Sequence, residues 1–130
     1  MIAKKSPLLL GLVISSLLWN LTLTTTVVLG DERFSNRVAG GGFHQYPLGL
    51  RLIYLVMTVF TLALLWFAIA DRRNSQRFGS TIHLFISLVF FLSTLVNLIS
   101  RSEPERINAL PAFVIALYFL RRYKTLSSSR

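Results

Sequence analysis

Polar residues recur along one face of the apolar stretch from Phe78 to Ser100. Successive steps of four, three, four, three and four residues separate His83, Ser87, Phe90, Thr94, Asn97 and Arg101. Residues three and four apart share one face of an α-helix. Amides, hydroxyls and an imidazole on such a face can hydrogen-bond a neighbouring helix or the polar groups of a ligand.

Two earlier stretches carry shorter polar faces at the same helical spacing. Ser16, Asn20 and Thr24 form one, and Tyr54, Thr58 and Thr61 belong to the other. At about 1.5 Å per helical residue, the polar groups nearest one membrane interface lie at similar depths. These groups are predicted to form a polar seam between helices one, two and three: Asn20, Thr24, Tyr54, Thr58, Thr94 and Asn97.

The seam has two interpretations. Interhelical hydrogen bonds, which contribute on average about 0.6 kcal/mol each in membranes, need no further function, and we favour them. The alternative is a small polar cavity, open towards the outside, that holds a lipid headgroup or a small ligand. Both interpretations require the asparagines to point into the protein.

Residues for catalysis are missing from the pattern. No Asp or Glu lies inside an apolar stretch, and the chain contains no cysteine. His44 and His83 are expected on opposite sides of a membrane, so they cannot share a metal ion. The sequence contains no glycine-rich phosphate loop. We therefore expect neither a catalytic site nor a cofactor or metal site, and a lipid-acting enzyme is the least favoured reading.

Four uncharged apolar stretches must position these residues: Leu8 to Gly30, Leu52 to Ala70, Phe78 to Ser100 and Ile107 to Leu120. A hydrocarbon core about 30 Å thick needs about 20 helical residues. The predicted fold is all-α: a polytopic integral membrane protein whose four transmembrane helices form an antiparallel bundle. In this single domain, residues 1–130, the helices are expected at about 7–30, 47–70, 80–100 and 103–124.

Several residues mark where helices should begin and end. Ser6 followed by Pro7 is typical of a helix start, and Gly30 of a helix end. Ser102 and Glu105 have the spacing of a capping box, which predicts the start of the fourth helix. Pro111 then falls inside that helix and is expected to bend it, since proline frees the carbonyl four residues earlier.

The charge of +9 is distributed unevenly around the apolar stretches. With the N-terminus inside, nine of the 14 basic residues fall on the cytoplasmic side. The positive-inside rule thus places both termini in the cytoplasm of a plasma-membrane protein. Eight of the nine are expected to anchor it at the membrane surface, which includes anionic lipids: Lys4, Lys5, Arg72, Arg73, Arg77, Arg121, Arg122 and Lys124. Nucleic acid is excluded as a partner, because no basic segment is interleaved with aromatic residues for stacking.

These observations predict a multipass membrane protein without enzymatic activity. An accessory or interaction subunit is the expected role, with another membrane protein or a second copy of the chain as partner. The alternative is a small homo-oligomeric transporter or channel, in which the seam lines a path. Transport coupling usually uses an intramembrane ionisable residue, and only His83 offers one in the apolar stretches.

Overall fold

The computed structural model describes residues 6–73 and 78–128, and within these ranges the chain is helical without a strand. The elements, in chain order, are α1 (Pro7–Leu29), two short 3-10 helices (Glu32–Arg37 and Ala39–Gly41), α2 (Leu48–Arg73), α3 (Ser80–Leu98), α4 (Glu103–Arg106) and α5 (Ala109–Ser127). The all-helical prediction is confirmed at this level.

Within the described residues, three helices are long and apolar enough to cross a membrane: Pro7–Leu29, Leu48–Asp71 and Ser80–Leu98. Large apolar side chains cover their outer surfaces, including Leu52, Val56 and Leu92, each more than half exposed. Exposure of such large apolar surfaces to water is unfavourable, whereas the acyl chains of a bilayer solvate them. The chain therefore has the character of a membrane protein. Helix α5 differs from these three helices in its charge, because it carries Arg121, Arg122 and Lys124 near its C-terminal end.

The ends of α1 follow the sequence prediction. The Ser6 hydroxyl accepts a hydrogen bond from the Leu9 amide at 3.4 Å, and Pro7 is the first helical residue. Gly30 closes the helix in the left-handed conformation, with φ of 76°. A residue without a Cβ adopts that conformation at little cost. The predicted caps of this helix are confirmed.

The region predicted as one helix over about 103–124 is divided in two. Helix α4 ends at Arg106 and α5 begins at Ala109, so the break lies at Ile107 and Asn108. Pro111 is the third residue of α5, where a missing amide proton removes no helical hydrogen bond. The predicted bend at Pro111 is thus replaced by an interruption one turn earlier.

The helices pack around α5. Helix α1 contacts α2 and α5, and α5 also packs extensively against α3. Small residues allow that approach, because Ala112 and Ala116 are fully buried. The Ser87 hydroxyl of α3 donates to the Ala116 carbonyl at 2.9 Å. The polar face predicted on α3 is buried in this core, from His83 through Ser87 to Thr94.

Helices α2 and α3 meet at one end of the molecule. The ring of Phe67 lies 4.2 Å from Phe78 and 5.2 Å from His83, centroid to centroid. We call this the hairpin end, where α2 leads into α3. The other end, covered by residues 31–46 between α1 and α2, is the loop-one end. Two polar groupings lie at these opposite ends.

Candidate functional site

Loop one, residues 31–46, has regular structure despite its run of three glycines. Asp31 caps the first 3-10 helix, because its carboxylate accepts from the Arg33 amide at 3.0 Å and from Arg33 Nε at 2.8 Å. Hydrogen bonds from Arg33 hold the pKa of the Asp31 carboxyl below its usual value of 3.8. The start of the loop is therefore fixed by a local charged pair.

A chain of hydrogen bonds ties loop one to α1 and α5. Trp19 Nε1 donates to Asn108 Oδ1 at 3.1 Å, and Asn108 Nδ2 donates to the Arg37 carbonyl at 2.8 Å. The Arg37 guanidinium lies 5.8 Å from the centre of the Trp19 ring and donates to the Pro104 carbonyl at 3.3 Å. One asparagine thus joins three segments that are distant in sequence.

The residues of the expected capping box hold loop one instead of capping α4. The Ser102 hydroxyl donates to the Asn36 carbonyl. The Glu105 carboxylate accepts from the Gly40 amide at 2.9 Å and from the Ser100 hydroxyl. Loop one needs glycine here, because Gly41 has a φ of 69° and a Cβ would approach Ser102 to 3.2 Å. Both polar groups are satisfied by tertiary contacts rather than by the helix end.

Beneath this cap lies a polar recess with a volume of about 180 Å³. All four long helices and loop one contribute to its wall. Its lining is Trp19, Asn20, Leu23 and Thr24 of α1, Arg37 and Val38 of loop one, Tyr54 and Met57 of α2, Ser93, Val96 and Asn97 of α3, and Glu105, Asn108 and Pro111 of the α4–α5 segment. Two of these lining residues, Met57 of α2 and Val96 of α3, are also partly exposed at the surface.

Four of the six residues of the predicted seam line the recess: Asn20, Thr24, Tyr54 and Asn97. The other two are turned to their own helices. The Thr58 hydroxyl donates to the Tyr54 carbonyl and the Thr94 hydroxyl to the Phe90 carbonyl, each at 2.8 Å. Thr24 and Asn97 likewise donate to carbonyls of their own helices, and the Tyr54 hydroxyl hydrogen-bonds the Ala39 backbone of loop one. None of these bonds is the interhelical hydrogen bond favoured from the sequence.

The two asparagines of the seam differ in their bonding. Asn97 Nδ2 donates to the Ser93 carbonyl of its own helix at 2.9 Å. The half-buried Asn20 amide makes no hydrogen bond with any residue in 6–73 or 78–128. Asn20 therefore offers a donor and an acceptor to whatever enters the recess.

A second polar grouping lies at the hairpin end and joins three helices. Arg122 Nε of α5 donates to Asp71 Oδ2 of α2 at 2.6 Å, and His83 Nε2 of α3 lies 3.3 Å from Asp71 Oδ1. The side chains of Asp71 and His83 are fully buried. His83 Nδ1 lies 3.0 Å from the Gly79 carbonyl oxygen. We call Asp71, His83 and Arg122 the ion cluster.

The sequence analysis missed the ion cluster. It ended the second helix at about residue 70, whereas α2 continues to Arg73 and places Asp71 in its last turn. It assigned Arg122 to the membrane surface, but only 11% of that side chain is exposed. One signal could have indicated the cluster: Asp71 and Arg122 each follow an apolar stretch on the predicted cytoplasmic side, and His83 lies near the start of the third stretch.

The other predicted anchors have mixed outcomes. Arg121 and Lys124 are exposed near the end of α5, as a surface anchor requires. Lys4, Lys5 and Arg77 lie outside the described residues, as do the side chains of Arg72 and Arg73. Membrane anchoring by these residues stays a prediction.

Comparison with known proteins gives no relative from which a function could be transferred. No family model, no curated protein and no solved structure matches the chain. The features of the molecule that bear on its function are therefore the recess, the ion cluster and the core between them.

Proposed function

We propose that this chain is a non-enzymatic multipass protein of the plasma membrane that serves as an accessory or interaction subunit. In this proposal α1, α2, α3 and α5 cross the bilayer as an antiparallel four-helix bundle. Both termini lie in the cytoplasm, where the basic residues of the chain ends meet anionic lipids.

The composition of α5 alone does not identify it as a membrane-spanning helix, but its packing against α3 supports that assignment. Its 19 residues give about 29 Å of helix, similar to α3. Ser87 lies opposite Ala116, and Phe91 lies against Phe113, so α3 and α5 run antiparallel to each other. If α3 crosses the membrane, α5 alongside it crosses the same thickness. Arg121 and Lys124 can then extend to the headgroups.

An apolar layer between the recess and the ion cluster supports a binding role for the protein rather than conduction. Val13 and Leu17 of α1 and Ile115 and Phe119 of α5 have no exposed surface. They form one core with Leu64 of α2 and with Ile86 and Phe90 of α3. An ion or polar solute would lose its hydration in this layer without replacement, which is costly. Within one chain, the layer favours a closed protein over a path.

A homo-oligomeric transporter is the second candidate, and one observation favours it. Four residues of the predicted seam line a recess that contains the unpartnered amide of Asn20. A path would then have to continue between copies of the chain, because the core of each copy is filled. The exposed apolar surface of α2 is available either to such copies or to another membrane protein.

Flux and co-purification distinguish these roles. Full-length protein reconstituted in vesicles is expected to leave them impermeable to potassium, protons and a small zwitterionic dye. Tagged protein extracted from native membranes in mild detergent is expected to retain a second polypeptide at a fixed ratio, measured by mass spectrometry. Protein-dependent flux with only self-association would support the transporter and contradict the accessory role. Cell fractionation tests the plasma-membrane location.

A further inference from the structure

The wall of the recess is incomplete on the side that faces lipid. Met57 of α2 and Val96 of α3 both line it, and 42% and 56% of their surfaces are exposed. The ring contacts and the ion pair that join α2 to α3 involve residues 66–83, at the hairpin end. Helices α2 and α3 are not among the helix pairs in extensive backbone contact within the described residues. A molecule in the bilayer can therefore reach the recess sideways.

Opposite charges face this opening from two segments. The Arg37 guanidinium and the Glu105 carboxylate both line the recess, and no ion pair joins them within residues 6–73 and 78–128. Among the described residues, Glu105 accepts hydrogen bonds from two neutral groups, the Gly40 amide and the Ser100 hydroxyl. A ligand that carries one charge of each sign would complement both residues.

Neutral groups of the recess suit the oxygens of a phosphate ester. The Asn20 amide has no hydrogen-bond partner in the described part of the chain, and it lies in the same wall as Tyr54 and Ser93. Amide and hydroxyl donors, together with a guanidinium, commonly bind phosphate oxygens. Binding there would satisfy the Asn20 amide, which the fold otherwise leaves without a hydrogen bond.

The size of the recess restricts the ligand to a headgroup. About 180 Å³ is far more than the roughly 10–15 Å³ that one water needs. It is too small for a lipid with two acyl chains, which would have to stay outside. Phe60, three residues after Met57 on α2, and Leu92, four residues before Val96 on α3, are exposed and offer the acyl chains an apolar surface.

We propose that the recess binds a zwitterionic phosphodiester headgroup, with the phosphate near Arg37 and Asn20 and the ammonium near Glu105. The group enters between α2 and α3 as part of a phospholipid, or from water as the free glycerophospho compound. The proposal does not depend on the accessory role, because the site is complete within one chain.

Tryptophan fluorescence tests this directly, because one of the two tryptophans lines the recess. Trp66→Phe leaves Trp19 as the only reporter. In detergent, phosphatidylcholine with a nitroxide on its headgroup is expected to quench Trp19 saturably. Unlabelled phosphatidylethanolamine should reverse the quenching, and phosphatidylglycerol, which lacks the ammonium, should not. Linear quenching, or equal competition by phosphatidylglycerol, would overturn the proposal.

A matched pair of variants on α1 locates the site. In the W66F background, Asn20→Leu is expected to raise the half-saturating concentration of labelled lipid about tenfold, since a bond of about 1.4 kcal/mol is lost. Its thermal stability should not fall, because Asn20 bonds to no protein group. Thr22→Val, on the exposed face of the same helix, should bind like the parent. Unchanged binding by Asn20→Leu would contradict the assignment.

Two further outcomes separate the sources of the ligand and its competitors. Competition by glycerophosphoethanolamine as strong as that of the lipid identifies the free compound as a ligand, and weak competition identifies the lipid. Both results support the headgroup site. A co-purifying polypeptide that blocks quenching at every lipid concentration would overturn it, because a partner helix would then occupy the recess.

Discussion

His83 Nε2 lies 3.3 Å from Asp71 Oδ1, and this contact joins the first turn of α3 to the last turn of α2. Arg122 of α5 contacts the same carboxylate, with its Nε 2.6 Å from Asp71 Oδ2. Three helices are therefore fixed to each other at the hairpin end by one buried acid. Buried charges are costly unless they are paired, so the cluster specifies the arrangement of helices more than it adds net stability.

Removing one member of this cluster should be strongly destabilising. Arg122→Met leaves the buried carboxylate of Asp71 without its guanidinium partner, and loss of one partner of a buried ion pair costs about 3–5 kcal/mol. Thermal unfolding in detergent measures the effect. Arg121→Met is the matched control, because Arg121 is exposed on the same turn.

The double variant Asp71→Leu, Arg122→Met extends this test. It should be less destabilised than Arg122→Met alone, because no charge is left buried without its partner. Equal stability of Arg121→Met and Arg122→Met would show that the pair contributes nothing to the fold.

How much the sequence predicts depends on how local the signal is. The caps of α1 follow from Ser6, Pro7 and Gly30, which act within one turn. The buried face of α3 follows from its steps of three and four residues. The role of Asn108 could not be predicted, since its bonds to Trp19 and Arg37 span 89 and 71 residues. Periodicity contains no information on such contacts.

The ion cluster shows a second limit of the sequence signal. Asp71 follows an apolar run and precedes basic residues, so its composition is that of a solvated turn. Only the extension of α2 to Arg73 buries it. Helix ends are poorly determined by sequence, and one additional turn moves a charge from water into the core.

Asn108 should hold loop one closed over the recess. Asn108→Leu removes the acceptor for Trp19 and the donor to the Arg37 carbonyl, at a cost of about 1–3 kcal/mol. Trypsin should then cleave after Arg37 faster than in the parent, measured by mass spectrometry of timed digests. Glu103→Gln on the exposed side of α4 is the control. Unchanged cleavage would show that the loop is held by other contacts.

The start of loop one should depend on pH only in strong acid. Arg33 lowers the pKa of Asp31 below 3.8, so the folded state favours the carboxylate, and this contribution is present at neutral pH. It is lost as the pH falls through the lowered pKa. Carboxyl NMR in micelles should show Asp31 titrating below 3.8, and Arg33→Gln should raise its pKa. A titration unaffected by Arg33→Gln would contradict the pairing.

Topology provides the decisive test of the fourth span. The chain has no cysteine, so single cysteines at Ser35 in loop one and at Ser128 after α5 can be labelled separately. With both termini inside, an impermeant maleimide applied to intact cells should label Ser35→Cys, and Ser128→Cys should react only after the cells are permeabilised. Labelling of both positions would mean that α5 does not cross. Labelling of Ser128→Cys alone would show that the protein has the opposite orientation in the membrane. The recess would then face cytoplasmic rather than external headgroups.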